Sequence, residues 1–354
     1  MTGESESVRK EKSKNLLVSV IIPVYQVSGY VERCLLSVMN QTYQDIECII
    51  VDDCSMDDSI AKCERLIGSY QGPIKFRILH HERNRGLSAA RNTGTDAATG
   101  EYIYYLDSDD ELTPDCLDKL IQPVFNDSSI EMVLGYYDYI TNNQPATNDK
   151  QKSIREEDIC SSKAVRNYYY NRTGRFPVSA WNKLIQKDFL AQNELRFIEG
   201  LLYEDTPWTF SVIKYLKHLY IIPTVTYLYY RRPNSIVTGT SREKIAQHLG
   251  VGYEDIASHF TYGEEGREAS YYLRDFCGYY LNYSKISSYK RASYYFKKAL
   301  KDGHHKKEHI FLILTEQASK TSIGRFLFPK ALKVRVIILS PFRCLKRWYT
   351  KVRK

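Results

Sequence analysis

Residues 101–110 read EYIYYLDSDD, an apolar and aromatic run that stops at three carboxylates within four positions. Its bulky side chains fit a buried strand, and the acidic cluster marks where that strand ends. The same pattern recurs toward the N-terminus. Residues 17–24 (LVSVIIPV) make one apolar strand, 46–51 a second closed by Asp52-Asp53-Cys54-Ser55, and 74–79 a third. Val31, Cys34, Leu35 and Val38 follow at helical spacing, with further helical patterns over 60–67 and 89–98. Thr113-Pro114 reads as an N-cap with proline at the first helical position, opening a helix to about residue 124. Strands alternating with helices imply an α/β fold with a parallel or mostly parallel sheet flanked by helices. Ligands of such sheets bind beyond the carboxyl ends of the strands, where both acidic clusters lie.

Asp107 and Asp109, two apart at a strand end, can both reach one hard cation such as Mg²⁺ or Mn²⁺, leaving coordination positions for phosphate oxygens. Alone, an Asp-x-Asp triplet is weak, because loop carboxylates are common and usually just solvated. Here Asp52-Asp53 converge on the same sheet edge, and a basic, glycine-containing segment, NRGLSAARN (84–92), lies between the clusters. Gathered carboxylates repel one another, so a metal or a hydrogen-bonding ligand is the economical explanation. Capping of the following turn is the plainer alternative for one of the Asp52-Asp53 pair.

Beyond residue 131 the pattern loosens. Strands are expected at 132–140 and 221–230, helices at 164–170 and 206–216, and several helices from 241 to about 313. Glu204-Asp205 stand just before the 206–216 helix, whose N-terminus keeps a carboxylate ionised and ready to accept a proton. Acidic residues also favour a first helical turn for electrostatic reasons alone. The 30 tyrosines carry no functional signal of their own and suit half-buried strands.

The formal charge of +8 is uneven: no Asp or Glu follows Glu316, while eleven Lys or Arg fall between Lys320 and Lys354. Removing those eleven from the 50 basic residues leaves 39 against 42 acidic. The basic tail also carries Phe326, Phe328 and Trp348, the composition of a segment lying on an anionic leaflet. The eight cysteines form no Cys-x-x-Cys pair and no zinc spacing, which fits a reducing compartment. Residues 1–15 are polar and read as disordered, without a signal-peptide core, and no apolar run is long enough to span a bilayer. A cytoplasmic protein, peripheral on the inner face of the membrane, is expected.

Four segments in order, VSVIIPVYQ (18–26), IIVDDCSMDDS (49–59), NRGLSAARNTG (84–94) and GEYIYYLDSDDEL (100–112), resemble a bacterial family 2 glycosyltransferase of the surface-polysaccharide type. The resemblance is close over 17–124 and fainter to about 235. It implies a GT-A, Rossmann-like domain over 16–235, with a helical accessory region at 236–316 and the basic tail at 317–354. It further implies that Pro23 and Tyr25 line the nucleotide base, that Asp53 contacts the base, and that Arg85 and Gly86 wall the nucleotide-sugar site. Asp109 becomes the principal metal ligand with Asp107 beside it, and Ser108 joins the sugar-nucleotide contacts. Asp205 becomes the catalytic base, and Arg231, with Arg232, lies near the diphosphate. Trp181-Asn182-Lys183 matches a family segment without an assigned role. Cys54 departs from the family, which commonly has glycine there, so this position either carries the strain of a positive φ or has a different backbone.

The implied activity is inverting transfer from a nucleotide sugar, most often a UDP-sugar, to a saccharide or lipid-linked acceptor, with Mn²⁺ or Mg²⁺ as cofactor. The alternative is a non-catalytic sugar- or membrane-binding relative that kept the fold. A dinucleotide-binding dehydrogenase is excluded because the first strand runs into Pro23-Val24-Tyr25 rather than a glycine-rich turn. A basic tail alone does not make a nucleic-acid groove, so no nucleic-acid partner is expected.

Overall fold

Two fully buried strands, β1 (Val18–Val24) and β2 (Ile46–Asp52), run side by side in parallel from the pair Val18↔Ile46 to Val24↔Asp52. They are the near-continuous apolar runs expected of strands covered on both faces. This computed structural model describes residues 16–141, 144–146, 155–171, 177–231 and short stretches between 240 and 255. The expected segment 1–15, the tail 317–354, Arg232 and nearly all of the region 236–316 lie outside the described residues. The described chain forms two compact units. Described residues of 16–159, 181–195 and 218–231 build the first, and those of 160–180, 196–217 and beyond 240 build the second.

In the first unit, β3 (Lys75–His80) extends the sheet beyond β2, and β4 (Tyr102–Tyr105) flanks β1 on its other side, all in parallel. Alternate residues of β1 face opposite layers. Val18, Val20, Ile22 and Val24 join a core with Val31, Cys34, Leu35 and Val38 of α1 (Val31–Met39). Cys63 of α2 (Ser59–Ser69) and Leu117, Leu120 and Ile121 of α4 (Cys116–Asn126) complete that layer. Ile21 faces the other way, toward α3 (Leu87–Ala97), which lies so close that a Cβ on Gly94 would sit 2.3 Å from its methyl group. A larger residue at Gly94 would push helix and sheet apart.

Within the second half of the sheet, one interior strand departs from the parallel pattern. β9 (Lys183–Gln186) runs antiparallel between β4 and β6 (Met132–Thr141), and β6 is parallel to β10 (Leu219–Tyr230). The short β5 (Glu111–Leu112), β7 (Gln144–Ala146) and β8 (Glu157–Ile159) add antiparallel edges, and α6 (Lys187–Gln192) follows β9. β1, β2, β3, β4, β6 and β10 therefore all deliver their carboxyl ends to one edge, and reversed β9 begins there. The GT-A α/β fold expected from the sequence is the one observed.

The helix expected from Thr113-Pro114 begins later, at Cys116 with Asp115 as its N-cap. Pairing of β5 with β10 keeps the chain extended through Leu112, and Thr113 donates its amide to Thr226 O at 3.0 Å. Thr113 O then accepts from Gln41 Nε2 at 2.7 Å, so these residues are tied to neighbours before the helix can start.

In the second unit, α5 (Ser162–Asn171) and α7 (Asp205–Tyr215) cover the expected helices. Trp208 stacks on Phe197 at 4.6 Å between centroids, and Thr209 Oγ1 donates to Val178 O at 2.6 Å. Among the described residues, no helix is long and apolar enough to cross a membrane.

Candidate functional site

The carboxyl end of β1 is shaped by Pro23. Ile21 turns its carbonyl to Leu106 and Val24 turns its own to Asp53, so Pro23, between them, faces the β4 side. The β1–β4 ladder has already ended there at Ile21↔Tyr105, so the missing N–H breaks no ladder bond. Pro23 is buried, whereas Tyr25 projects from the edge with 43% of its surface exposed. The loop after Tyr25 is bound to the loop after β2: Val27 N donates to Ser59 Oγ at 2.9 Å and Ser28 N to Asp57 Oδ2 at 2.9 Å. Cys54 in that second loop adopts φ 63°, the left-handed region glycine occupies without strain. Of the two outcomes the sequence leaves open, the strained backbone is the one observed, and it costs about 1–2 kcal/mol.

Asp53 is only 2% exposed. One carboxylate oxygen accepts from His81 Nδ1 at 2.7 Å and from the amide of Arg85 at 2.8 Å; the other accepts from the amide of Gly86 at 2.7 Å. His81 Nε2 bonds Thr93 Oγ1 of α3 at 2.9 Å. The two ring nitrogens of His81 thus link the Asp53 carboxylate to the Thr93 hydroxyl. Asp53 thus holds the loop carrying Arg85 and Gly86, a relationship invisible in the order of the residues. Gly86, at φ 89°, is the residue before α3, a conformation that a side chain would disfavour. Asp52 is used locally, accepting from Ser55 N at 2.8 Å and pairing with His80 Nδ1 at 3.0 Å.

From that loop α3 carries Arg91 into the protein, 1% exposed, where its Nη2 meets Asp107 Oδ1 at 2.7 Å. Asp107 and Asp109 are both partly exposed at the end of β4, while Ser108 and Asp110 between and after them turn inward. Asp110 was legible only as a third acidic letter. It accepts from Tyr227 Oη at 2.7 Å and from Tyr230 N at 2.8 Å, which ties the acidic loop to the end of β10. Burial, then the adjacent Asp109 and Asp107 charges, hold its carboxyl well above the usual range. Arg33 of α1 clamps the same loop. Its Nη2 donates to Asp109 O at 2.7 Å, its Nε pairs with Glu111 at 2.6 Å, and its guanidinium lies 3.4 Å over the Tyr230 ring.

Among the described residues, the acidic loop does not bring three metal-ligand side chains within 4.8 Å of one another. Two partly exposed carboxylates, one of them paired with Arg91, with a third buried beside them fit a hard divalent cation that takes its remaining ligands from phosphate or water. Burial does most to raise Asp110; the repulsion from Asp109 and Asp107 that adds to it is what such a cation relieves.

Trp181-Asn182-Lys183 stands at the start of β9. Asn182, at φ 60°, accepts from Tyr104 Oη at 3.1 Å and Thr226 Oγ1 at 2.7 Å and donates to Tyr136 O at 2.9 Å. It bolts three strands together. Trp181 stacks on Tyr227 at 4.4 Å and on Tyr229 at 5.6 Å. Arg231 closes β10 with its guanidinium 4.4 Å over the Tyr139 ring.

In the second unit, Asp205 opens α7 and is partly exposed, while Glu204 before it is buried. The approach is strained, with Tyr203 at φ 61°, and Leu202 N is held by His248 Nδ1 at 3.1 Å. Burial, then Lys244, lowers the His248 pKa, so the imidazole stays neutral and able to accept that bond.

The model for glycosyl transferase family 2 matches residues 19–186, which span β1 to β9. Glycosyltransferase GlyG of Streptococcus pneumoniae serotype 4 is 31% identical over 229 residues, covering 62% of this chain and 73% of that protein. Among solved structures, TarS of S. aureus in complex with UDP-GlcNAc superposes with a TM-score of 0.61 at 17% identity, covering 80% of each chain. The mannosyltransferase PcManGT of Pyrobaculum calidifontis, in complex with GDP-Man and Mn²⁺, gives 0.55 at 15% identity, covering 92% of this chain and 86% of that one. These two likenesses bear on the fold. The family-model match and the identity to GlyG carry the assignment, and the chain belongs to glycosyl transferase family 2.

Proposed function

We propose that this glycosyltransferase moves a sugar from a nucleotide diphosphate donor, a UDP-sugar, to a hydroxyl of a saccharide or lipid-linked saccharide, with inversion and with a divalent metal. The observation that carries the reading is the pair of partly exposed carboxylates, Asp107 and Asp109, at the carboxyl end of β4. Asp109, with Asp107 beside it, would hold Mn²⁺ or Mg²⁺. When bound, the ion offsets negative charge on the diphosphate. The complexes of TarS with UDP-GlcNAc and of PcManGT with GDP-Man and Mn²⁺ support a nucleotide-sugar donor and a metal by analogy.

Tyr25, the exposed aromatic at the end of β1, stacks on the base, and buried Pro23 directs the chain into it. Asp53 acts mainly by presenting the loop of Arg85 and Gly86, whose backbone forms the wall; Ser108 contributes from its backbone. Asp205 takes the proton from the acceptor hydroxyl as that oxygen bonds the anomeric carbon and the carbon–diphosphate bond breaks, releasing the nucleoside diphosphate. Arg231 stabilises charge on the departing phosphate. The basic tail, read from sequence, favours the anionic inner face of the cell membrane and a surface-polysaccharide acceptor.

The substitution Asp205→Asn keeps shape and removes proton acceptance. UDP binding, measured by titration calorimetry, is expected to stay within threefold while transfer falls by about 10²–10⁴-fold. Near-normal turnover in this variant would move the base elsewhere.

A further inference from the structure

Along β6 and β10 the side chains change character toward the carboxyl ends. Val133, Leu134, Leu219 and Ile221 are buried aliphatic residues, and then Tyr137, Tyr139 and Tyr229 follow, each only half-buried. Parallel pairing sets Tyr227 opposite Tyr137 and Tyr229 opposite Tyr139. Beneath them lies a buried aromatic floor. Trp181 is parallel to Tyr227 within 9° and has the edge of Tyr137 at 4.8 Å. Tyr139 meets Tyr229 edge-on at 5.5 Å and Tyr137 at 5.3 Å, and the hydroxyls of Tyr137 and Tyr139 are 3.3 Å apart. Tyr227 joins this floor to the acidic loop through its 2.7 Å bond to Asp110.

Tyr137 and Tyr229 pack on one side against the hydrophobic core and Tyr139 carries the Arg231 guanidinium over its ring, yet all three keep part of their surface open beside a carboxylate loop. Rigid aromatic faces with hydroxyls at their rims suit a pyranose, whose C–H face packs on a negative π-surface and whose hydroxyls bond phenols. The sheet order β3-β2-β1-β4-β9-β6-β10 sets this cluster on the opposite side of the acidic loop from Tyr25, Asp53 and Gly86. We infer that Tyr137, Tyr139 and Tyr229 form a saccharide shelf that seats the sugar receiving the transferred residue. The inference rests on the transferase reading and names the part of the site that reading leaves open.

The test uses the full-length protein with UDP and Mg²⁺, and the methyl glycosides of glucose, galactose and N-acetylglucosamine as probes. Saturation-transfer NMR is expected to mark the ring protons of at least one glycoside with wild-type protein. Tyr139→Leu and Tyr229→Leu keep apolar bulk and remove the aromatic face. Both are expected to lower that saturation at least fivefold, and Tyr229→Leu, which leaves the contact of Arg231 with Tyr139 in place, is expected to keep hydrolysis of the sugar nucleotide within threefold of wild type. Tyr139→Phe and Tyr229→Phe keep the face and are expected to retain at least half of the signal; a loss equal to that of the leucine variants would overturn stacking as the basis. Wild-type saturation in the leucine variants, or none with any glycoside in the wild type, would overturn the shelf. Glycoside binding that depends on these tyrosines, in a protein that neither binds UDP nor hydrolyses any sugar nucleotide, would overturn the transferase reading and leave the shelf standing.

Discussion

Arg91 and Asp107 meet at 2.7 Å, and the arginine is the more deeply buried partner. The pair joins α3, which starts at the Asp53-bound loop, to the acidic end of β4. Removing one member of a buried pair strands the other charge. Arg91→Met is therefore expected to lower stability by about 3 kcal/mol, read from the urea midpoint. Because Arg91 orients a carboxylate beside the proposed metal position, Mn²⁺-dependent UDP affinity should also fall by about 10–100-fold. An Arg91→Met protein with unaltered metal-dependent affinity would reduce the pair to a structural strut.

Asp53 accepts the amides of both Arg85 and Gly86, so its removal should loosen the loop before it loosens the sheet. Each buried group left unpaired costs about 1–3 kcal/mol. Hydrogen exchange at the Arg85 and Gly86 amides is expected to rise in the order wild type, Asp53→Asn, Asp53→Ala. Equal protection in all three proteins would mean that other contacts hold the wall.

Glu47 sits inside β2 and accepts from Ser19 Oγ at 2.6 Å, Thr99 Oγ1 at 2.9 Å and Gly100 N at 3.0 Å. Burial alone would raise its pKa, but these hydrogen bonds outweigh burial and hold it below 4.5. A carboxyl with a depressed folded pKa stabilises the protein above its unfolded pKa. That contribution is lost as pH falls through the folded value. Thermal melts of wild type and Glu47→Gln should differ most at neutral pH and converge as pH falls through the lowered folded pKa; a gap that does not change with pH would show that packing, rather than ionisation, sets the cost.

The tail after Glu316 carries eleven basic residues and no acidic one, and each basic residue near an anionic leaflet contributes about 1 kcal/mol. Full-length protein is expected to sediment with vesicles rich in phosphatidylglycerol at low salt and less at high salt, as screening requires. A truncation ending at Glu316 should stay in the supernatant and keep hydrolysing the sugar nucleotide. Indifference of the full-length protein to anionic vesicles at both salt levels would remove the membrane from the proposal.

The first half of the sheet was readable because β1, β2 and β4 are continuous apolar runs buried on both faces, and α1 repeats its buried positions at helical spacing. β9 was not readable, since four residues that include buried Lys183 offer neither length nor alternation. The start of α4 was misjudged at Thr113-Pro114 because the two-residue β5 exists only through its pairing with β10. In the site, residue types at strand ends were legible from local order, Asp107 and Asp109 above all. The partners of those residues were not: Arg91 for Asp107, His81 for Asp53 and Tyr227 for Asp110 lie 16, 28 and 117 positions away. The departure at Cys54 was legible from the motif, but whether its backbone would be left-handed or rearranged was not; it is left-handed.

The most direct measurement is release of nucleoside diphosphate from a panel of nucleotide sugars in the presence of Mn²⁺, with wild type beside Asp109→Ala. The wild type should release product from at least one UDP-sugar. Asp109→Ala, with an unchanged melting profile, should lose at least 100-fold of that rate, and chelation of the metal should lower the wild type to the same level. Release from no nucleotide sugar, or a rate insensitive both to Asp109→Ala and to chelation, would contradict metal-dependent transfer at the end of β4.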